Sequence, residues 1–506
     1  MPELKIHTAG KISSIIVPVG TLLLDALRSG DFEVFSPCGG NGTCGKCKVI
    51  VKDEGYVTSC LFSVREDMEI VLPEPSEAKI LAAQYEHSRI LPISPGKAAG
   101  LSTHPFGVAI DLGTTTLAIN FIQLITGSLI ETRTVLNPQS KYGSDVISRI
   151  NYCMLNPNGL KTLQSGIIDT INRQLTHFAE KFEIDPHDIV KISVCGNTTM
   201  LHLLLGVNPE SLASVPFIPV FTEEKILKAS EVMLKCNPEG EVKILPSLSA
   251  YIGADIVAGI ASLAPAETFK NLLFIDVGTN GEMALITPEQ IFCCSTAAGP
   301  AFEGANIEHG MGALSGAINI YNEDSSYQTI GDSKPLGICG SGLIDLVASL
   351  LKTGQVMSDG YMEESFVIVP AEESGTYKDI ILTPEDIREI QLAKSAIAAG
   401  INILVQHADL TMEEVDALYL AGGFGNYIRT PGAVSIGLIP HELSGKVIPV
   451  GNTSATGSML AVKSVFFDEV IQNVLDKMKY FELSDYEDFI TEFAMNMAFP
   501  EQVNET

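Results

Sequence analysis

Basic side chains are scarce in this sequence. Lys and Arg number 32 against 61 Asp and Glu over 506 residues, a formal charge of −29. A surface that acidic repels phosphate backbones, which excludes nucleic acid as a partner class. A single nucleotide stays compatible, because backbone dipoles and a divalent metal outweigh a distant field. Long apolar runs are missing too. No uncharged apolar stretch reaches about 18 residues, so no membrane span and no membrane partner are expected. SSIIVPVGTLLLDAL near the start is interrupted by Pro18, Gly20 and Asp25, and no small-residue cleavage site follows, so the expected location is the cytoplasm. Nor does any fixed period of roughly 20–50 residues recur, which rules out a solenoid.

What is present is a chain with 46% apolar and 18% charged residues, the balance of a well-buried globular protein. Its length allows about three or four domains. Two stretches organise it: VAIDLGTTTLAIN from Val108 and LFIDVGTNGEMAL from Leu273. Each reads as a strand ending on Asp, a tight turn, and a returning strand. Gly113, Gly278 and Gly281 let backbone N–H groups approach a ligand, and Thr114, Thr115, Thr116 and Thr279 add hydroxyls. Asp111 and Asp276, at the strand ends, suit a metal or its bound water. Two such turns facing each other would grip a nucleotide's phosphates from both sides.

Of ten Cys, four lie between Cys38 and Cys60. In a cytosolic chain such clustering points to a metal site before disulfides. Cys38, Cys44 and Cys47 are spaced C-x5-C-x2-C, with Gly39, Gly40, Gly42 and Gly45 between them. A loop wrapping an iron–sulfur cluster needs this composition, because its amides must turn toward sulfide and thiolate charge. Cys60 is the natural fourth ligand. The competing reading is structural zinc; zinc knuckles prefer paired CxxC units, and only one is present. The stretch resembles the ferredoxins that carry a [2Fe–2S] cluster on a β-grasp fold. It departs from them in its last gap, since only twelve residues separate Cys47 and Cys60. That implies a trimmed domain. A helix opened by Thr21 and closed by Gly30 is expected ahead of the loop.

From Leu72 to Phe106 five prolines break the chain, with one short helix expected around Glu77–His87. The stretch reads as a tether, or alternatively as a strap along the surface of the body. Behind it the order β-β-β-α-β-α-β-α occurs twice, which implies duplication. VKISVCGNTTM supplies a strand ending at Gly196-Asn197-Thr198, and ALYLAGGFGNYI a strand with a Gly-rich exit.

This pattern resembles the superfamily of acetate and sugar kinases, heat-shock ATPases and actin. The resemblance implies an α/β body of two duplicated ribonuclease-H-like lobes closing on ATP. Asp111–Thr116 matches its first phosphate motif, Asp276–Glu282 the second, and Gly422, Gly423 and Phe424 the adenosine motif. The small-residue helices at Gly253-Ala254 and Thr456-Gly457 match its interlobe segments. The expected domains are 1–75 (ferredoxin-like), 76–105 (linker), 106–268 (first lobe) and 269–506 (second lobe).

With a ferredoxin ahead of that fold, and with NPQSKYGSDVISRI, SVCGNTTM, GPAFEGA, GICGSGLID and LAGGFGNYI, the whole chain resembles the reductive activators of corrinoid proteins. It has a shorter N-terminal region than their longer members. The resemblance implies a [2Fe–2S] cluster, ATP and Mg2+, and one-electron reduction of inactive Co(II) to Co(I) on a partner corrinoid protein. It also implies an upstream electron donor and allows a homodimer. Because the reduction is uphill, ATP would act by differential binding, favouring an altered cobalt coordination on the partner.

The expected roles are Asp111 and Asp276 for magnesium, and Thr114, Thr115, Thr279 and Asn280 for phosphate oxygens. Asn197 and Thr198 would orient water or simply cap the next helix. Glu282 is a general base or ordinary strand polarity. Cys153, Cys195, Cys236, Cys293, Cys294 and Cys339 read as small hydrophobes. The nine His show no H-x3-H pairing, so neither a zinc hydrolase nor a corrinoid carried on this chain is supported. The rival functions are a small-molecule kinase with a regulatory cluster, and a non-catalytic chaperone-like module.

Overall fold

The computed structural model describes residues 1–501 except 9–10, 31, 33, 35–39, 41, 43–46, 53, 73–86, 144, 265–268, 279 and 426. Three principal sheets carry the architecture. The first combines β1 (Glu3–Thr8), β2 (Lys11–Ile16), β3 (Lys48–Val51), β4 (Gly55–Thr58) and β5 (Met68–Val71) in the order β2-β1-β5-β3-β4. β1 and β5 are parallel, the remaining pairs antiparallel, and helix α1 (Leu23–Ser29) covers one face. Leu4, Ile6, Leu23, Leu27, Val49, Val51 and Ile70 fill the space between, which is the β-grasp arrangement expected. α1 ends at Gly30 as expected, but it begins after Leu22 without a side-chain cap. Thr21 donates its hydroxyl to the Pro18 carbonyl at 2.8 Å instead, a local turn that competes with capping.

The second sheet holds β6 (Phe106–Leu112), β7 (Thr116–Gln123), β8 (Ser128–Leu136), β9 (Ile189–Gly196), β10 (Lys225–Lys228) and β11 (Glu241–Ile244), ordered β10-β11-β9-β6-β7-β8. Helices α2 (Val146–Leu155), α3 (Gly159–Phe182), α4 (Thr198–Leu205) and α5 (Ala254–Ser262) accompany it. The third sheet repeats the plan with β12 (Leu272–Val277), β13 (Gly281–Ile286) and β14 (Ile291–Thr296) as the antiparallel meander.

Before the meander's parallel neighbour comes an insertion: β15 (Ala317–Tyr321), β16 (Tyr327–Thr329), β17 (Gly337–Ile338), helix α6 (Gly340–Lys352), β18 (Phe366–Val369) and β19 (Ile380–Leu382), of which GSGLIDLVASLLKTG reads as a helix in the sequence and the short strands do not show. The long α7 (Pro384–His407) follows. Then β20 (Ala417–Ala421), α8 (Gly422–Gly425), α9 (Thr430–Ser435), β21 (Val447–Gly451), α10 (Thr453–Lys463), α11 (Phe466–Lys477), β22 (Met478–Tyr480) and α12 (Phe489–Met495) complete the chain. The third sheet reads β21-β20-β12-β13-β14-β22.

Helices cover both faces of the two body sheets, which explains why β9, β12 and β20 are nearly unbroken apolar runs. Val108, Ile110 and Leu112 face α3 and α4, while Ala109, Ile122 and Val190 face Met459 and Val462 of α10. α5 and α10 cross between the sheets. A Cβ on Gly457 would overlap the Ala258 carbonyl, and one on Gly259 would lie 2.7 Å from the Thr453 hydroxyl, so small residues are what allow this crossing.

The described part of the proline-rich stretch, from His87, is the strap of the two readings. Arg89 N–H donates to Ser262 O at 2.7 Å, Ser94 N–H to Lys463 O at 2.8 Å, and buried Lys191 Nζ to Pro95 O at 3.0 Å. An extended segment satisfies its backbone groups on the ends of α5 and α10. The short helix expected near Glu77 falls almost wholly outside the described residues.

Candidate functional site

β3 and β4 form a tight hairpin, with Lys48 paired to Thr58. The residues flanking it, Cys47 and Ser59-Cys60, are therefore brought together. Ser59 donates both its N–H (2.9 Å) and its hydroxyl (2.7 Å) to the Cys47 carbonyl, and Cys60 N–H donates to Cys47 Sγ at 3.4 Å. The hairpin explains how a gap of only twelve residues suffices: the second strand returns Cys60 beside Cys47. Both thiols are buried against Leu24. Gly40, at φ +101°, brings the Gly-rich loop to within 3.7 Å of Cys60 Cβ, measured from its own ideal Cβ position. Cys38 and Cys44 lie outside the described residues. Paired buried thiols with an amide aimed at sulfur fit a [2Fe–2S] cluster in their donor chemistry.

The nucleotide motifs meet at the carboxyl ends of the parallel strands, where open α/β sheets place ligands. Asp111 lies opposite Cys195 on β9, and Asp276 opposite Ala421 on β20. Asp111 Oδ2 accepts from Asn452 Nδ2 at 2.8 Å, and Oδ1 from Ser454 Oγ at 2.9 Å. The turn behind it is braced from three sides. Asn137 donates to Gly113 O (2.8 Å) and Thr115 O (2.9 Å), Arg149 Nη2 to Thr114 O (2.5 Å), and Asn197 Nδ2 to Thr114 Oγ1 (2.9 Å). Gly113 is required there, since a Cβ would lie 2.6 Å from Thr116 O. Thr115 is half-buried beside it and Thr116, which opens β7, is exposed.

Asn197 also caps α4, accepting from Met200 N–H at 2.9 Å. Thr198 is turned inward and donates to Ser249 O at 2.6 Å. Of the two, Asn197 is the one with a donor directed at the first turn.

The second turn is barer. Gly278 N–H donates to Asn280 O at 2.9 Å, and a Cβ on Gly278 would find nothing closer than 3.8 Å. Thr279 lies outside the described residues. Gly281 packs on Ile397 of α7. Gly422, at φ +86°, sits so close to Asp276 that a Cβ would overlap the carboxylate, so the adenosine-type motif and the second Asp form one surface. Gly423 and Phe424 continue into α8; their side chains lie outside the described atoms.

Four carboxyl groups converge here. Asp276 is pushed up to about 7 by burial and then by the Asp111 charge. Asp255, on the first turn of α5, is pushed up to about 7 by burial, then by Asp111. Glu282, directly across from Asp276, is raised by burial and by Asp255 and Asp276. Burial raises Asp111 as well, opposed by Asn452 and Ser454. A cation bound among these groups would favour their ionised forms and offset the burial that raises them. Among the described residues no three such side chains close on one ion. The donor set therefore fits Mg2+, which binds through one or two carboxylates with water and phosphate oxygens completing the shell.

Sequence reasoning missed Asn452, Ser454, Asp255 and Arg149. A signal existed for the first two, because Gly451-Asn452-Thr453-Ser454 echoes Gly196-Asn197-Thr198-Thr199, and each Asn caps a helix while donating into the first turn. Arg149 carries no such signal. It is fully buried, donates among the described residues to Gly143 O, Gln139 Oε1, Met200 Sδ and Thr114 O, and is lowered to about 9 by burial, against the Asp145 charge.

Comparison with known proteins agrees with this geometry. The chain matches three family models: a 2Fe-2S iron-sulfur cluster binding domain over 6–76, the RACo middle region over 106–264, and the C-terminal (ASKHA) domain of RACo over 270–506. It is 33% identical to the corrinoid activation enzyme RamQ of Eubacterium limosum over 422 residues, covering 79% of this chain and 71% of RamQ. It is 27% identical to the reductase of a Co(II) methylated amine-specific corrinoid protein from Methanosarcina barkeri, covering 72% of each. A solved reductive activator for a corrinoid, iron–sulfur protein superposes with a TM-score of 0.72 at 29% identity, over 99% of this chain and 98% of that one. The chain belongs to the family of corrinoid activation enzymes.

Proposed function

We propose that this protein reduces the inactive Co(II) form of a partner corrinoid protein to Co(I), one electron per cobalt, at the expense of ATP. One observation carries the reading: a single chain joins buried thiols at Cys47 and Cys60 to a cluster of buried carboxyl groups, Asp111, Asp255, Asp276 and Glu282, at the strand ends of the two body sheets. A [2Fe–2S] cluster held by these thiols would supply one-electron chemistry, drawing its electrons from an upstream donor.

The chain's own residues do the rest. Cys38, Cys44, Cys47 and Cys60 hold the cluster. Asp111 and Asp276, with Asp255 nearby, hold Mg2+ directly or through its waters. Thr114, Thr115, Thr279 and Asn280, with the amides at Gly113, Gly278 and Gly281, bind phosphate oxygens, while Gly422, Gly423 and Phe424 line the nucleoside end. Asn197, fixed between α4 and Thr114, orients the attacking water, and Thr198 fixes the loop that carries it. The division of labour follows the sequence ranges 1–75, 76–105, 106–268 and 269–506. Lobe closure about the α5–α10 crossing gives ATP-bound and ATP-free shapes. A partner that prefers the first, with altered cobalt coordination, gains differential binding energy toward Co(I).

The test is anaerobic. Reduced protein is mixed with a Co(II) corrinoid protein, with and without MgATP, and the cobalt spectrum is followed. ATP-dependent Co(I) is expected, and it disappears in Cys47→Ser. Unchanged cobalt with ADP release driven by a sugar or organic acid would favour the small-molecule kinase instead.

A further inference from the structure

We propose that Lys48 is a positioning residue: it docks the cluster module onto the second lobe, on a loop whose other end lies at the second phosphate turn. The inference rests on the reading above and adds to it the route by which nucleotide state reaches the cluster.

Lys48 directly follows the ligand candidate Cys47 and opens β3. Its ammonium donates to the main-chain carbonyl of Glu308, in the second lobe. The Glu308 and Asp386 carboxylates supply the local negative charge that faces it. Glu308 N–H in turn donates to Asp386 Oδ1 at 2.8 Å, and Asp386 closes the capping box of α7 with Thr383. A second contact lies at the other end of the same hairpin. A Cβ on Gly55 would meet Thr376 O and Lys378 Cδ, each at 2.9 Å. The β3–β4 hairpin that brings Cys47 and Cys60 together is thus the part of the module seated on the lobe.

The segment holding Lys48 is stiff. Gly304, at φ +79°, and Gly310 are pinched together so closely that a Cβ on Gly310 would overlap Gly304 O. Met311 N–H to Ile338 O and Ile338 N–H to His309 O, both 2.9 Å, tie the far end to β17. Next to this pinch stands Glu303. Its Oε1 is 3.8 Å from the ideal Cβ position of Gly278, at the second phosphate turn. α7 gives a parallel connection: Asp386 stands at its start, and Ile397 lies 3.3 Å from the ideal Cβ position of Gly281. A phosphate seated against Gly278 changes the space and charge around Glu303. A loop closed by a glycine pinch moves as a unit, and so does a 24-residue helix. Both end at the ammonium beside Cys47.

The experiment is hydrogen–deuterium exchange on the full-length, cluster-loaded protein under anaerobic conditions, with and without a non-hydrolysable MgATP analogue. In wild type the analogue protects residues 108–120 and changes exchange over residues 48–58 by about fivefold. Lys48→Arg keeps the second response. Lys48→Ala keeps the cluster absorbance and the protection at 108–120, but exchanges fast over 48–58 regardless of nucleotide. Lys378→Ala, on the lobe side of the contact, raises exchange over 48–58 to a smaller degree and covers the case in which Lys48→Ala loses its cluster. Protection at 108–120 with no response at 48–58 in wild type overturns the docking proposal and leaves the ATP reading standing. A nucleotide response in Lys48→Ala equal to wild type overturns it too. No protection at either place overturns both.

Discussion

The two phosphate turns share a sequence plan and differ in their surroundings. In the first, Asp111 is held by Asn452 and Ser454, and its turn is braced by Asn137, Arg149 and Asn197. In the second, Asp276 has no hydrogen-bond partner among the described residues, and a Cβ on Gly278 would meet only ordinary contacts, with Asn280 O and Glu303 Oε1 at 3.8 Å. Duplication preserved the strands and the turn while the support diverged. The first turn is pre-organised, so it costs little to occupy. The second has room to respond, and it is the one connected through Glu303 to the contact at Lys48.

The sharpest way to break this comparison is to neutralise each Asp in turn. Asp111→Asn and Asp276→Asn should each lower ATP hydrolysis by roughly 100-fold or more, since under the proposed function each removes a charge that would hold Mg2+ against the phosphates. Steady-state ADP release measures this; a near-normal rate in either variant would remove that Asp from the site.

Arg149→Met should come next in size. Three oxygen acceptors of the first turn's support lose a charged donor inside the protein, a cost of about 2–4 kcal/mol in unfolding free energy, with a raised KM for ATP. Denaturant titration and kinetics check both. An unchanged KM would mean that the first turn does not depend on its brace.

The same two Asp variants should then part in stability. Without nucleotide, Asp276→Asn removes an unpartnered buried charge and should stabilise by about 1 kcal/mol. Asp111→Asn replaces the charged acceptor of the Asn452 and Ser454 bonds by a neutral amide with one accepting oxygen and should destabilise by about 1 kcal/mol. Thermal melts of the two, compared at one pH, give the sign.

The smallest effect is in pH. Asp255 and Asp276 stand near 7 in the folded chain and near 4 when unfolded. A raised folded value means that their contribution is fully present below about pH 4 and is lost as pH climbs through 7. The Tm of the nucleotide-free protein should therefore fall between about pH 5 and pH 8, and Asp255→Asn should flatten that fall. Magnesium nucleotide, which favours the ionised carboxylates, should reduce or reverse it. A Tm that rises over this window in the nucleotide-free chain would contradict the carboxylate cluster.

Much of this is legible in the sequence. Strand, Asp, Gly and strand form a local pattern, so both turns and the order of the duplicated elements could be read directly. The cysteine spacing was legible for the same reason, although the hairpin that makes a short last gap work was not. What escaped was non-local. Asn452 reaches Asp111 across 341 positions, and Lys48 reaches Glu308 across 260. Arg149 looks like any helical Arg until its burial is known. The small strands between β14 and α7 are two to five residues long, too short for alternation to show. The proline-marked stretch before the body leaves tether and strap both open in the sequence, because the hydrogen bonds that decide for the strap from His87 onward come from helix ends far along the chain.

The most direct measurement follows the cluster and the cobalt in one anaerobic cuvette. Pre-reduced protein is mixed with excess Co(II) corrinoid protein and MgATP for a single turnover. The account predicts that oxidation of the cluster and appearance of Co(I) proceed at one rate, and only when ATP is present. Co(I) formed equally well without ATP, or ATP consumed while the cluster stays reduced, would contradict it.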